Sequence, residues 1–315
     1  MERSKHGDGS LYEPRVDLFR WLFSLLDTGE TSMQPMRLTL PTAECVPTST
    51  ASCGRHVGGP MLQIFSVKLA KLPRPAAAAG PVKLFGFMAV RDLMDPLRNY
   101  VFNRSRDDPL VIPDLRSDPF VHLPGPKRGV NMQARVMFEY DVRIKGGAEE
   151  YRDLPLVEGV AVFSERTCID EPAAWRIRGD RGGAVDISWA RLTRAVEATV
   201  DVRIQELAPQ QHGNGGGGGG GVDLSVSGFV PDITEGEAFK LFRGVVEKPC
   251  ALDRISVAVS LDSDLILQFS VPDGDGSFHD VGKFAFRSTA HGSVSDCRRF
   301  GFGTVEVKVT WSALY

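Results

Sequence analysis

A chain of 315 residues, 42% hydrophobic and 24% charged, is long enough to bury one large core or two modest ones. Lys plus Arg number 37 against 40 for Asp plus Glu, a formal charge of -3 that gives no electrostatic footprint for nucleic acid or an anionic membrane. The cysteines, Cys45, Cys53, Cys168, Cys250 and Cys297, are odd in number, widely spaced and without a C-x-x-C, which argues against a secreted disulfide framework and against a zinc site.

The opening residues MERSKHGDGSLYEPR lack the apolar region of a signal peptide, and Glu2 after Met1 excludes a myristoylation motif. No apolar run approaches the roughly 18–20 residues of a membrane span. The expected compartment is therefore cytoplasm or nucleus, not the secretory pathway, with reduced thiols. The sequon Asn103-Arg104-Ser105 then has no bearing.

Residues 1–29 read as a polar tail followed by an amphipathic helix over Tyr12–Asp27. Pro14 suits a first turn and Gly29 a stop. Val16, Phe19, Leu22, Phe23 and Leu26 repeat at 3-4 spacing and form an apolar face. That face is expected to dock on the main domain or on a protein partner. A membrane-surface anchor is the other reading, disfavoured because only Arg15 and Arg20 would serve its polar face. Residues 30–60, rich in Pro, Ser, Thr and Gly, read as a flexible linker, so Cys45 and Cys53 are expected to be exposed, incidental thiols.

From residue 61 to 315 the pattern is that of β-structure. MLQIFSVKLAKL and VKLFGFMAVRD are two strands, read as arms of one hairpin, and Gly86 marks a bulge or a close backbone approach. Leu110–Ile112 is a short strand and 113–130 a Pro-rich loop. Ala134 to Lys145 alternates strictly, with Val136, Phe138, Tyr140, Val142 and Ile144 on one face and Arg135, Met137, Glu139, Asp141 and Arg143 on the other. One face should lie on a core and the other in water. Strands follow at 156–163, 175–178, 184–188 and 195–204. The poly-glycine loop at 213–221 lacks the Lys-Ser or Lys-Thr of a phosphate cradle, and reads as a flexible hairpin loop joining 195–204 to 222–229. Further strands are expected at 239–246, 254–261, 264–271, 282–287 and 304–312. Turn signals at roughly 8–12 residue spacing mark an all-β protein, an antiparallel two-sheet sandwich or barrel-like fold with an N-terminal helix.

The stretch Gly86 to Asp108, GFMAVRDLMDPLRNYVFNRSRDD, is the densest run of charge. Its candidate binding residues are Arg91, Asp92, Asp95, Arg98, Asn99, Asp107 and Asp108. Clustered aspartates at a sheet end could hold Ca²⁺. The interleaved Arg91, Arg98, Arg104 and Arg106 favour a structural clasp of Arg–carboxylate pairs instead. Lys127 and Arg128, between glycines in LPGPKRGV, form an anion-nest candidate, for which a basic turn is the plainer reading. Asp273-x-Asp275-x-Ser277 opens like a calcium loop but has Phe284 where a closing Glu is needed. His6, His56, His122, His212, His279 and His291 show no short metal-type spacing, and no G-x-S-x-G elbow occurs. No catalytic residue, metal or cofactor is predicted.

The segments GFMAVRDLMDPLRNYVFNRSRDDP, LPGPKRGVNM, VMFEYDVRIK, RAVEATVDVRI and the late Leu241-Phe242-Arg243-Gly244 resemble a grass-expanded family of uncharacterised plant proteins with a conserved domain of unknown function. The resemblance covers about residues 60–315. In some cereal members a similar domain accompanies a ribosome-inactivating, rRNA N-glycosidase domain, which implies a defence context. The N-glycosidase motif Glu-Ala-x-Arg is not reproduced by Glu197-Ala198-Thr199-Val200, so none of its catalytic residues carries over. The leading expectation is a non-catalytic binding or protein-interaction module. The alternatives are an N-glycosidase-associated defence protein and a Ca²⁺- or lipid-binding sandwich.

Overall fold

The structure, a computed structural model, describes residues 22–23, 25, 27–45, 53–74, 80–116, 118–208, 221–231, 233, 238–273 and 278–314. Strands dominate it. In chain order they are β1 (Gly59–Lys71), β2 (Val82–Arg91), β3 (Asn99–Arg104), β4 (Leu110–Ile112), β5 (Phe120–Val121), β6 (Val130–Asn131), β7 (Val136–Ile144), β8 (Leu154–Phe163) and β9 (Ala173–Arg178). There follow β10 (Ala184–Leu207), β11 (Val222–Phe229), β12 (Phe239–Val246), β13 (Cys250–Ala251), β14 (Ile255–Ser260), β15 (Asp264–Pro272), β16 (Phe278–Arg287), β17 (Gly292–Phe300) and β18 (Gly303–Ser312). They form three antiparallel sheets and no closed barrel. The chain divides into two compact units. The first holds the chain up to Gln34 and Pro60–Thr193; the second holds Pro35–Gly59 and Arg194–Tyr315.

In the first unit one sheet has the order β3-β2-β7-β8, with β4 also on β2. The other strands are β1, paired with β5 and β6, and the start of β10, paired with β9. Both sets feed one core that includes Leu62, Val67, Leu84, Phe138, Val142, Leu156, Ile187 and Trp189. Its centre is an aromatic stack. Phe163 lies 4.5 Å from Trp189 and 5.6 Å from Phe138, and the partly exposed Trp175 meets both Phe163 and Trp189 edge-on.

The predicted alternation of β7 is present, but its polar face is not in water. Met137, Glu139 and Asp141 are buried along with their neighbours. The reason lies in the N-terminal segment. Phe23 is fully buried against Met137, with Leu22, Leu25 and Val160 packed around them. Of the predicted helix, residues 12–21, 24 and 26, and so Val16, Phe19 and Leu26, lie outside the described residues; Leu22 and Phe23 have helical backbone. Gly86 makes the expected close approach: its φ is 106° and a Cβ there would lie 2.0 Å from the Asp141 carbonyl oxygen.

In the second unit one sheet has the order β12-β11-β15-β16. The rest of β10 is flanked by β14 and β18, which share Glu197–Val200 as pairing partners, and β17 adds to β18. Residues 36–40, expected as linker, are held here. Leu38 bridges Ala313 and donates its amide to Ser312 Oγ, Met36 donates to the Glu197 carboxylate, and Gly292 donates to the Thr39 carbonyl.

Several expected pairings are corrected. β1 and β2 are not a hairpin but belong to different sheets, because each finds its hydrogen-bonding partners elsewhere, β1 in β5 and β6 and β2 in β3, β4 and β7. β10 and β11 likewise lie in different sheets; the glycine loop between them is outside the described residues. Residues 184–188 and 195–204 are one continuous strand, and β17 was not anticipated. No helix among the described residues is long and apolar enough to cross a membrane.

Candidate functional site

The charged stretch after β2 folds into a buried ionic network. β2 ends with the buried Arg91, the Asp92–Leu97 turn follows, Arg98 bridges Glu30, and Asn99 opens β3. The 125–130 loop delivers Arg128 beside them, and the middle of β7 delivers Glu139. Arg91, Asp92, Asn99, Arg128 and Glu139 are each at most 1% exposed and Arg98 is 4% exposed. Charges so deep must be paired and hydrogen-bonded.

Arg128 meets Asp92 as a fork, with Nη1 to Oδ2 at 2.7 Å and Nη2 to Oδ1 at 2.9 Å. Asp92 also accepts the amides of Met94, Asp95 and Asn131 at 2.8–3.1 Å. Arg128 further donates to Thr31 Oγ1 and to the carbonyls of Gly129 and Asp95. Glu139 Oε2 is shared by Arg91 Nε at 3.1 Å and Arg98 Nε at 2.9 Å. Arg98 lies 4.4 Å over the Phe87 ring. Burial would lower the pKa of Arg98, but Glu139 and Tyr100 outweigh it, so the group is held more firmly charged. Asn99 ties the network to the loop, donating to the Arg128 carbonyl and accepting the Lys127 amide.

The same network grips the N-terminal segment. Arg91 donates to the carbonyls of Phe23 and Asp27 at 3.0 and 2.7 Å, and Lys127 Nζ donates to the Thr31 carbonyl at 3.0 Å. Thr31 Oγ1 donates to Asp95 Oδ2 at 2.6 Å. Burial would raise the pKa of Asp95; the Thr31 hydroxyl, the Leu97 amide and Arg128 more than offset this and hold it below the ordinary value.

Asp107 and Asp108 are not part of this network. Both are exposed, and Asp108 pairs with Arg104 at 2.8 Å. Lys127 and Arg128 are adjacent in sequence, but the Arg128 guanidinium faces Asp92. Glu139, which completes the network, sits on the face of β7 that alternation alone gives to water, yet it is fully buried. Thr31, also buried, comes from the stretch whose composition reads as a linker.

Two cavities open elsewhere. One in the first unit, about 310 Å³, is lined by Arg143, Asp153, Leu156, Glu158, Asp180 and Arg181. Several of its charges are paired: Arg143 with Asp141 and Glu158, and Asp153 with Arg106 at 2.7 Å. The other, about 630 Å³, lies at one end of the second unit. It is lined by Val222, Val271, Pro272, Val281 and Phe302, with Asp223 and His279 as polar members.

The second unit also gathers Cys45, Cys53, His56 and His291, whose ligand-type atoms all lie within 4.8 Å of one another. Cys45 and Cys53 are joined as a disulfide, contrary to the expectation of separate exposed thiols; Cys53 is 4% exposed. They meet because residues 35–59 belong to the second unit. His56 Nδ1 faces both sulfurs, at 3.0 Å from Cys53 Sγ and 3.4 Å from Cys45 Sγ. Its Nε2 is buried and closes no hydrogen bond of normal geometry among the described residues. A local signal existed in Cys45-x₇-Cys53-x₂-His56, but His291 is supplied only by the fold.

Residues 61–309 match the model of a family described as a domain of unknown function, DUF6598. No curated protein matches the chain. Among solved structures, a C2 domain is 14% identical, with 37% of this chain and 98% of that chain covered and a TM-score of 0.27. The calcium-bound pair of C2 domains from Extended-Synaptotagmin 2 is 8% identical, covering 82% of this chain and 99% of that one, TM-score 0.26. Human GIVD cytosolic phospholipase A2 is 8% identical over 81% of this chain and 33% of its own, TM-score 0.25.

Proposed function

The chain belongs to the DUF6598 family, and from that premise we propose that it is a non-catalytic binding module whose ligand surface is the groove of the second unit. The observation that carries this reading is the groove itself: about 630 Å³, lined by Val222, Val271, Pro272, Val281 and Phe302 together with Asp223 and His279. A concavity that offers apolar and polar groups side by side can serve as a binding site. The occupant is an apolar segment of a protein partner, positioned by hydrogen bonds to Asp223 and His279.

In this reading Arg91, Asp92, Asp95, Arg98, Asn99 and Arg128 are a clasp that holds the N-terminal segment to the first unit. Support comes from their burial and from the donors they spend on Phe23, Asp27 and Thr31. The carboxylates of Asp92 and Asp95 are occupied by Arg128, Thr31 and main-chain amides, which weighs against a Ca²⁺ cage. Leu22 and Phe23 act in cis, with Phe23 on Met137. The module acts in a plant stress or defence context, as the sequence resemblance implies.

The test is selection of peptides from a random displayed library on the full chain, followed by affinity measurement against Val281→Glu. Apolar peptides should be enriched and should bind the variant at least about tenfold more weakly, since a charge would be buried in an apolar site. Failure to enrich any peptide, or equal binding by the variant, refutes the reading. Depurination of ribosomes by the purified chain would replace it with the N-glycosidase reading.

A further inference from the structure

The Cys45–Cys53–His56–His291 cluster shares no residue with the groove and has no role in the proposed binding. We propose that these four residues form a Cys₂His₂ Zn²⁺ site that fills when the cysteines are reduced. Four N and S donors are the ligand set of structural zinc, and the soft thiolates select it over Ca²⁺ or Mg²⁺. The geometry is close to what the ion requires. With Zn–S near 2.3 Å and Zn–N near 2.0–2.1 Å, neighbouring ligand atoms of a tetrahedron stand roughly 3.3–3.8 Å apart. His56 Nδ1 is already 3.0 and 3.4 Å from the two sulfurs, and the whole set spans no more than 4.8 Å. The His56 and His291 rings meet edge-on at 4.7 Å. Cys53 and His56 are buried, while Cys45 and His291 are half-buried, so the ion has a path of entry.

The disulfide is the oxidised state of the same pair. A dithiol reductant supplies two electrons and two protons to open the S–S bond and closes to its own disulfide. Zn²⁺ then binds both sulfurs as thiolates and displaces their two protons. All four positions come from protein, so the site is closed and structural, with no coordination position left for catalysis. It pins Cys45, Cys53 and His56 to His291, beside the Gly292 N–H to Thr39 bond that holds the same segment. Zinc binding is thereby folding free energy for the segment that the sequence reads as a linker.

The experiment uses the full chain, reduced with a water-soluble phosphine, which delivers the same two electrons and ends as its oxide. Zinc is counted by elemental analysis after dialysis, in wild type, Cys53→Ser and His291→Ala. About one zinc per chain is expected in wild type and less than about a tenth of that in Cys53→Ser. Co²⁺ in place of zinc should give the visible bands and sulfur-to-metal charge transfer of a tetrahedral thiolate site in wild type. His291 is half-buried, so His291→Ala should fold; it should bind zinc at least about tenfold more weakly. Substoichiometric zinc in the reduced wild type, or undiminished zinc in folded His291→Ala, overturns the assignment.

Discussion

Replacing Arg128 by Met tests the ionic network at its best-paired point. The substitution keeps most of the side-chain volume and removes the charge. Asp92, 1% exposed, loses both donors of the fork but retains the amides of Met94, Asp95 and Asn131. Removing one partner of a buried pair costs about 3–5 kcal/mol because the other charge stays uncompensated. Three remaining amides put Asp92 at the lower end, about 3 kcal/mol. The acceptors Gly129 O and Thr31 Oγ1 also lose a donor. Native-state hydrogen exchange is the suitable assay, because a chain of two units need not unfold in one step. Amides of β2 and β3 that exchange through unfolding of the first unit should exchange about 150-fold faster, at about 1.4 kcal/mol per factor of ten. The double variant Arg128→Met with Asp92→Asn should cost less than the sum of the singles by about 1.5–3 kcal/mol. A change below about threefold in β2 and β3, or strict additivity in the double variant, would refute the view that this pair holds the sheet end.

Gly86→Ala and Gly80→Ala form a second contrast. Both positions have positive φ, 106° and 111°, but an alanine Cβ at 86 would meet the Asp141 carbonyl oxygen at 2.0 Å, whereas at 80 nothing lies within 4 Å. Gly80→Ala should cost only the strain of about 1–2 kcal/mol, and Gly86→Ala at least about 2 kcal/mol more, read from urea midpoints; equal midpoints would contradict the close approach. For pH, Asp95 carries a folded pKa below its ordinary 3.8, so it contributes stability above that value and loses it as pH falls through the folded one. Asp95→Asn should therefore lower Tm clearly at about pH 7 and much less at about pH 3. A Tm difference that does not shrink with acid would show that the carboxylate charge is not what Thr31 and Arg128 stabilise.

Local pattern determined much of this fold. Strict alternation in Ala134–Lys145 located β7, and the bounds of β4, β12 and β15 followed from short apolar runs between turn residues. Gly86 within a strand announced a close approach because only glycine tolerates one there. Interleaved Arg and Asp residues pointed to paired charge, and the pairs form, though with partners the stretch does not contain. Arg128 and Glu139 come from elsewhere, and Thr31 from a segment with no periodicity at all. Sheet membership was not legible either. Alternation says which residues share a face, but not which strand lies beside it or what covers the second face. Hence β1 and β2 looked like a hairpin, and Glu139 looked solvated.

These failures share one cause, which also bears on what the domain needs. The family match spans 61–309, yet buried polar groups inside that span are satisfied from outside it. In the first unit Arg91 donates to Phe23 and Asp27, and Arg128 donates to Thr31. In the second unit the fully buried Glu197 takes the Met36 amide. An unpaired buried donor or acceptor costs about 1–3 kcal/mol, and more if charged. Each unit is thus completed by a strap from the N-terminal part of the chain. Phe23, Asp27 and Thr31 serve the first; Met36, Leu38 and Thr39 serve the second, and the Cys₂His₂ cluster is the covalent or metal-held end of that second strap. The aperiodic part of that stretch, Thr31 to Thr39, can therefore serve both units, because what it supplies is mainly backbone amides, carbonyls and a hydroxyl. Hydrophobic periodicity does not record those groups.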